Sequence, residues 1–222
     1  MENIKLPDFS SVEAAAERLA GQAVVTPLLE NRSLNERAGG RVFLKAETLQ
    51  RTGSFKFRGA YNRISQIPAA NRAGGVVAYS SGNHAQGVAA AAALLGMPAA
   101  IVMPADAPKL KVANTRGYGA EVHFYDRFGD SREVVGEALA AERGATLVPP
   151  YDDPDIIAGQ GTCGLEIARQ ADAAGVRLDK VLICCGGGGL TAGCALALTA
   201  LQPQAEIYCV EPAGFDDTFR SL

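Results

Sequence analysis

From Gly74 onward the chain alternates short apolar runs with longer stretches in which apolar residues recur every three or four positions. The short runs, at 76–79, 99–103, 121–125, 145–148, 180–185 and 206–210, read as strands. The intervening stretches, at 84–95, 107–116, 130–143, 156–170 and 190–201, carry the helical period. A strand-like run at 41–45 and an amphipathic helix at 11–20, stopped by Gly21, precede them. Strands alternating with helices predict an α/β fold of open, mostly parallel twisted sheets flanked by helices. Such sheets bind ligands beyond the carboxyl ends of their strands. The turn Pro149-Pro150-Tyr151-Asp152-Asp153-Pro154 is the expected internal boundary.

Composition narrows the class. The 222 residues are 48% hydrophobic and 20% charged, enough apolar material for a real core. A net charge of -3 gives no phosphate-backbone footprint, so no nucleic-acid partner is expected. No segment is long enough to span a bilayer and the first residues hold no signal core, so a cytoplasmic protein without a membrane partner is expected. Five cysteines without zinc-like pairs read as a reduced chain. Cys184, Cys185, Cys194 and Cys209 lie in apolar runs and read as buried small hydrophobes.

Three strand ends carry candidate chemistry. After the run at 41–45 comes Ser54-Phe55-Lys56-Phe57-Arg58-Gly59-Ala60, where Ser54 reads as an N-cap and places Lys56 in the first helical turn. A cation there opposes the helix dipole by roughly 0.3–1 kcal/mol. Two flanking phenylalanines desolvate it, and both effects favour the neutral amine that Schiff-base chemistry needs. The alternative is a lysine that snorkels to water. At the second strand end, Ser80-Ser81-Gly82-Asn83-His84 opens a helix. Ser81 or Asn83 reads as its cap, and the same groups suit a carboxylate. The third is Gly186-Gly187-Gly188-Gly189-Leu190, a strand–loop–helix junction whose N–H groups form an anion site. Gly187-Gly188-Gly189-Leu190-Thr191-Ala192 also fits G-x-G-x-x-A, with Glu211 about 20 residues on, so a dinucleotide-binding oxidoreductase stays open. Residues 158–164 read as another glycine-rich helix start. Cys163 lacks a Cys–His signature, and His123 alternates within a strand.

Together the Lys56, Ser81–Gly87 and Gly186–Leu190 motifs resemble the fold-type II pyridoxal-phosphate enzymes, tryptophan synthase β-like in fold. Within them, the threonine/serine dehydratase and serine racemase group is the most similar. Val148-Pro149-Pro150-Tyr151-Asp152, Ala158-Gly159-Gln160-Gly161-Thr162 and Glu211-Pro212 extend the resemblance over nearly the whole chain. It implies a lyase of amino-acid metabolism that dehydrates and deaminates L-threonine and L-serine to a 2-oxo acid and ammonia. A serine racemase or a 3-hydroxyaspartate dehydratase is the near alternative; an NAD-binding oxidoreductase or an inactive fragment is the distant one. Lys56 would hold pyridoxal 5'-phosphate as a Schiff base and act as base. Phe55 would lie against the ring, and Asn83 would bond its phenolic oxygen. Gly186, Gly187, Gly188, Gly189 and Leu190 would cradle the phosphate. Ser81, Gly82, Asn83 and His84 would hold the carboxylate of a small hydroxy amino acid, and Ser81 would act as acid/base opposite Lys56. A divalent or monovalent cation would sit at Glu211, Asp217 and the carbonyl of Phe215. A homo-oligomer, a dimer in the family, is implied.

The resemblance also divides the chain: a small inserted α/β domain at 73–152, and a larger cofactor-binding domain from 1–72 and 153–222. The family extends beyond the position matching Leu222, so the larger domain is expected to be incomplete, without the residue that faces the pyridine nitrogen. Weak cofactor binding and little turnover are expected of 222 residues.

Overall fold

The computed structural model describes residues 6–221. Helix α1 (Phe9–Leu19) starts where the Asp8 carboxylate accepts from Ser11 N at 2.9 Å, and it buries Val12, Ala15 and Leu19. Strands β1 (Leu28–Glu30) and β2 (Phe43–Lys45) pair antiparallel, joined through α2 (Arg32–Ala38). Helix α3 (Lys56–Ser65) follows.

A parallel sheet then forms from β3 (Val76–Tyr79), β4 (Ala99–Pro104), β5 (Glu121–Tyr125) and β6 (Thr146–Leu147). Helices α4 (Asn83–Leu94), α5 (Lys109–Gly117) and α6 (Arg132–Arg143) connect these strands. The strand order is β5-β4-β3-β6. The chain leaves β3 toward β4 on one side and returns as β6 on the other. The carboxyl end of β3 is therefore the switch point of the sheet, where a crevice opens. Residues 80–84 stand there.

The chain continues through α7 (Pro154–Ala173), β7 (Lys180–Cys184), α8 (Gly189–Leu201), β8 (Glu206–Val210) and α9 (Asp217–Ser221). Strands β7 and β8 form a second parallel pair. Val181 and Ile183 are buried, while Leu182, Cys184, Tyr208 and Val210 are exposed. Of the cysteines expected inside, Cys194 is buried, Cys185 is half-buried, and Cys184 and Cys209 are exposed. Their runs are apolar on both strand faces, but only one face of this pair is covered.

Helices approach closely where side chains are missing. A Cβ on Gly159 would stand 2.6 Å from Gly59 Cα, so α7 and α3 meet backbone to backbone. A Cβ on Gly193 would collide with Ile157 O and Gly161, and one on Gly164 would stand 2.7 Å from Cys194 Cα, which brings α8 against α7. The glycines at 158–164 thus lie inside a 20-residue helix, not at its start. They serve packing.

Beneath the site, Arg58 is 1% exposed and fully engaged. Its guanidinium donates to Glu47 at 2.7 and 2.8 Å, to Glu166 at 2.7 and 2.9 Å, and to Thr162 Oγ1 at 3.2 Å. Lys45 Nζ joins through Glu166 Oε2 at 2.6 Å. This cluster fastens β2, α3 and α7 to one another.

Candidate active site

Lys56 begins α3, but Ser54 does not cap the helix. The cap position is Phe55, without a side-chain bond, and Ser54 is extended at φ -163°, ψ 157°. Just before it, Thr52 and Gly53 are both left-handed, at φ 63° and 71°. A β-branched residue at positive φ is strained, and the turn aims the start of α3. Lys56 Nζ donates to Pro150 O at 2.6 Å and lies 5.5 Å from the Phe55 ring centroid. Burial lowers its pKa from 10.5 to about 8. Close packing places it beside α4: a Cβ on Gly87 would stand 3.2 Å from the Lys56 carbonyl.

Neither Ser81 nor Asn83 caps α4. The cap position is Gly82, with no side-chain bond, so the N–H groups of the first turn stay available. Capping thus does not account for Ser81 and Asn83, whose side chains are exposed to the crevice. His84 is buried, and its Nε2 bonds Val148 O at 3.0 Å. Burial, then the Lys56 charge, push its pKa down to about 3, so the ring is neutral and Nε2 carries the donated proton. Its Nδ1 has no partner among the described residues. Lys56, residues 79–84, Lys111, Arg132 and Tyr151 surround a cleft of about 280 Å³. Nothing in the sequence pattern marks Lys111 or Arg132 for this cleft. The helix expected at 107–116 puts Lys111 past its first turn, whereas α5 begins at Lys109 and brings it into the first turn.

A second cleft, of about 120 Å³, is lined by Phe55, Lys56, Tyr151 and the loop Gly186–Thr191. Gly188 is left-handed at φ 79° and α8 starts without a side-chain cap. Gly187 is needed for close approach, because a Cβ there would collide with the Tyr151 ring; Gly186 and Gly188 face open space. Thr191 Oγ1, in the first turn of α8, is buried without a partner. Free amides, an orphaned hydroxyl and open space over two glycines fit a phosphate. The two clefts share Lys56 and Tyr151 as a common wall. A group holding both a phosphate and an amine-reactive carbon fits that arrangement.

The remaining expectations fall elsewhere. The Glu211 carboxylate accepts from Thr218 N and Phe219 N, both at 3.0 Å. Asp217 pairs with Arg220 at 3.2 Å, and Phe215 is exposed. Among the described residues, no group of three or more His, Cys, Asp or Glu is arranged to hold a metal ion. Cys163 is buried inside α7, and its hydrogen bond with Cys194 followed by burial raises its pKa, which leaves it a packing residue. His123 pairs with Glu121 at 3.2 Å, outside both clefts. No helix among the described residues is long and apolar enough to cross a membrane.

Residues 20–222 match the pyridoxal-phosphate dependent enzymes. The chain belongs to this family. The dinucleotide reading of the glycine loop therefore falls, and the engagement of Glu211 with α9 agrees. An L-threo-3-hydroxyaspartate ammonia-lyase of Pseudomonas sp is 52% identical over 219 residues, covering 99% of this chain and 67% of that protein. The crystal structure of a T.th. threonine deaminase superposes with a TM-score of 0.89 at 49% identity, covering 97% of this chain and 68% of that one. Maize serine racemase superposes with a TM-score of 0.93 at 39% identity, covering 98% and 65%. The chain spans about two thirds of the length of these relatives.

Proposed function

We propose that the protein is a pyridoxal-phosphate-dependent ammonia-lyase of 3-hydroxy amino acids, with 3-hydroxyaspartate ahead of threonine and serine. The observation that carries this reading is Lys56 on the shared wall of two clefts, one opened by the uncapped start of α4 and the other by the glycine loop before α8. Similarity to an L-threo-3-hydroxyaspartate ammonia-lyase supports placing 3-hydroxyaspartate first. When bound, the cofactor supplies an electron sink for charge developing at Cα.

The chain's own residues divide the remaining work. Gly186–Leu190 and the orphaned Thr191 hydroxyl take the phosphate, with Phe55 beside the ring. The first turn of α4, with Ser81 and Asn83, takes the substrate α-carboxylate. Lys56 Nζ would hold the cofactor, and its free amine, with a pKa lowered by burial to about 8, would accept the Cα proton. The β-hydroxyl would leave as water, taking up the proton that Lys56 Nζ removed from Cα, and hydrolysis of the resulting enamine would yield a 2-oxo acid and ammonia. A serine-racemase reading is favoured by one observation: the Ser81 side chain lines the cleft that holds Lys56, where its hydroxyl can return a proton.

Borohydride reduction after incubation with pyridoxal phosphate, followed by peptide mapping, tests the assignment. A phosphopyridoxyl adduct is expected on Lys56, its yield rising through pH 8. An adduct on Lys45, Lys109 or Lys111 in its place overturns it.

A further inference from the structure

The cleft beside α4 carries more positive charge than one carboxylate requires. The start of α4 answers the α-carboxylate, and the glycine loop answers the phosphate. Lys111 and Arg132 remain on the cleft wall, and no aspartate or glutamate lines it. Arg132 is partly answered: its Nε pairs with Glu133 at 2.6 Å and its guanidinium lies 5.5 Å from the Tyr79 ring centroid. Lys111 has no ion-pair or side-chain hydrogen-bond partner among the described residues. Its ammonium is housed against Gly82, where a Cβ would stand 2.8 Å from Nζ and 3.6 Å from Cδ and Cε. A side chain at 82 would displace the end of Lys111 from this position. Lys111 also sits in the first turn of α5, which holds no acidic residue. There the helix dipole opposes a cation. Among the described residues no acidic partner answers this charge. An anion in the cleft would.

We infer that Lys111, supported by Arg132, binds the second carboxylate of a four-carbon dicarboxylic amino acid and so selects 3-hydroxyaspartate over threonine and serine. In that substrate the two carboxylates lie at opposite ends of a two-carbon unit. The start of α4, where Gly82 is the cap, and the Lys111 ammonium packed against Gly82 offer one anion site for each. The inference rests on the elimination proposed above, and its test separates the two.

The experiment uses the full chain loaded with pyridoxal phosphate, as wild type, Lys111→Met and Lys111→Arg. Turnover of L-threo-3-hydroxyaspartate and L-threonine gives a ratio of kcat/KM values, and calorimetric titration with succinate and butyrate gives binding without turnover. Lys111→Met is expected to lower the hydroxyaspartate-to-threonine ratio tenfold or more, with Lys111→Arg restoring most of it. Succinate affinity should fall at least tenfold in Lys111→Met while butyrate affinity does not follow. A ratio unchanged by Lys111→Met, or equal loss on both substrates, overturns the inference. Should the wild type turn over neither substrate, the proposed elimination fails and the titrations alone decide the anchor. Succinate binding that is weakened in Lys111→Met then upholds it; succinate bound no tighter than butyrate, or equally by wild type and variant, overturns it.

Discussion

Lys56 is held in a form that folding disfavours at neutral pH. In the unfolded chain its amine has the ordinary value of 10.5, and in the folded one about 8. Between those values the unfolded chain binds more protons, so stability rises with pH across that window, and the full penalty applies below it. Lys56→Met should therefore stabilise the fold by roughly 1–3 kcal/mol at pH 7. It should also flatten the rise between pH 8 and 10.5, as read from urea midpoints. An equal pH dependence in both proteins would contradict this. Lys56 and the glycines at 186–189 were legible because their strangeness is local: a cation at a helix start, and four residues without side chains. Arg58 and Lys111 were not. The partners of Arg58 lie 11 and 108 residues away, and nothing near it in the chain announces a fully buried guanidinium.

Among the elements, strands fall where the short apolar runs put them, at Val76–Tyr79, Glu121–Tyr125 and Glu206–Val210. The seven-residue α2 buries nothing and gave no apolar period to read. Capping misled at both motif helices, because the rule asks only for a suitable side chain before a helix. In α3 and α4 the backbone turns away from cap geometry, and the amides of α4 are left for a ligand. The α7–α3 crossing carries a consequence for the site, since Gly59 follows Lys56 by three residues. Gly159→Ala must displace Gly59 Cα or Arg58 O, at 2.6 and 2.8 Å from the added methyl. It should destabilise by about 1–3 kcal/mol and weaken cofactor retention. Gly40→Ala, with nothing within 4 Å, should change stability by less than about 0.5 kcal/mol. Denaturant titration and visible absorbance of the bound cofactor read both variants.

At the scale of the molecule, Arg58 joins segments that no local rule connects: β2, the turn carrying Glu47, α3 and α7. Arg58→Met leaves Glu47 and Glu166 facing each other without their shared cation, which should cost about 3–5 kcal/mol. Arg58→Lys should recover little, because an ammonium cannot reproduce the two bidentate pairs. Thermal unfolding compares the three proteins, and near-equal midpoints for wild type and Arg58→Met would refute the cluster's importance. The packed glycines bear on how such a protein can change over generations. Every missense change of a glycine codon adds at least a Cβ, and along α7 and α8 that atom meets backbone which cannot step aside. Positions 159, 161, 164 and 193 are thus closed to drift, while Tyr79, Lys111, Arg132 and Tyr151 stand at an open cleft. Random mutagenesis for a new substrate should return survivors that differ around the cleft mouth and agree at every one of those glycines.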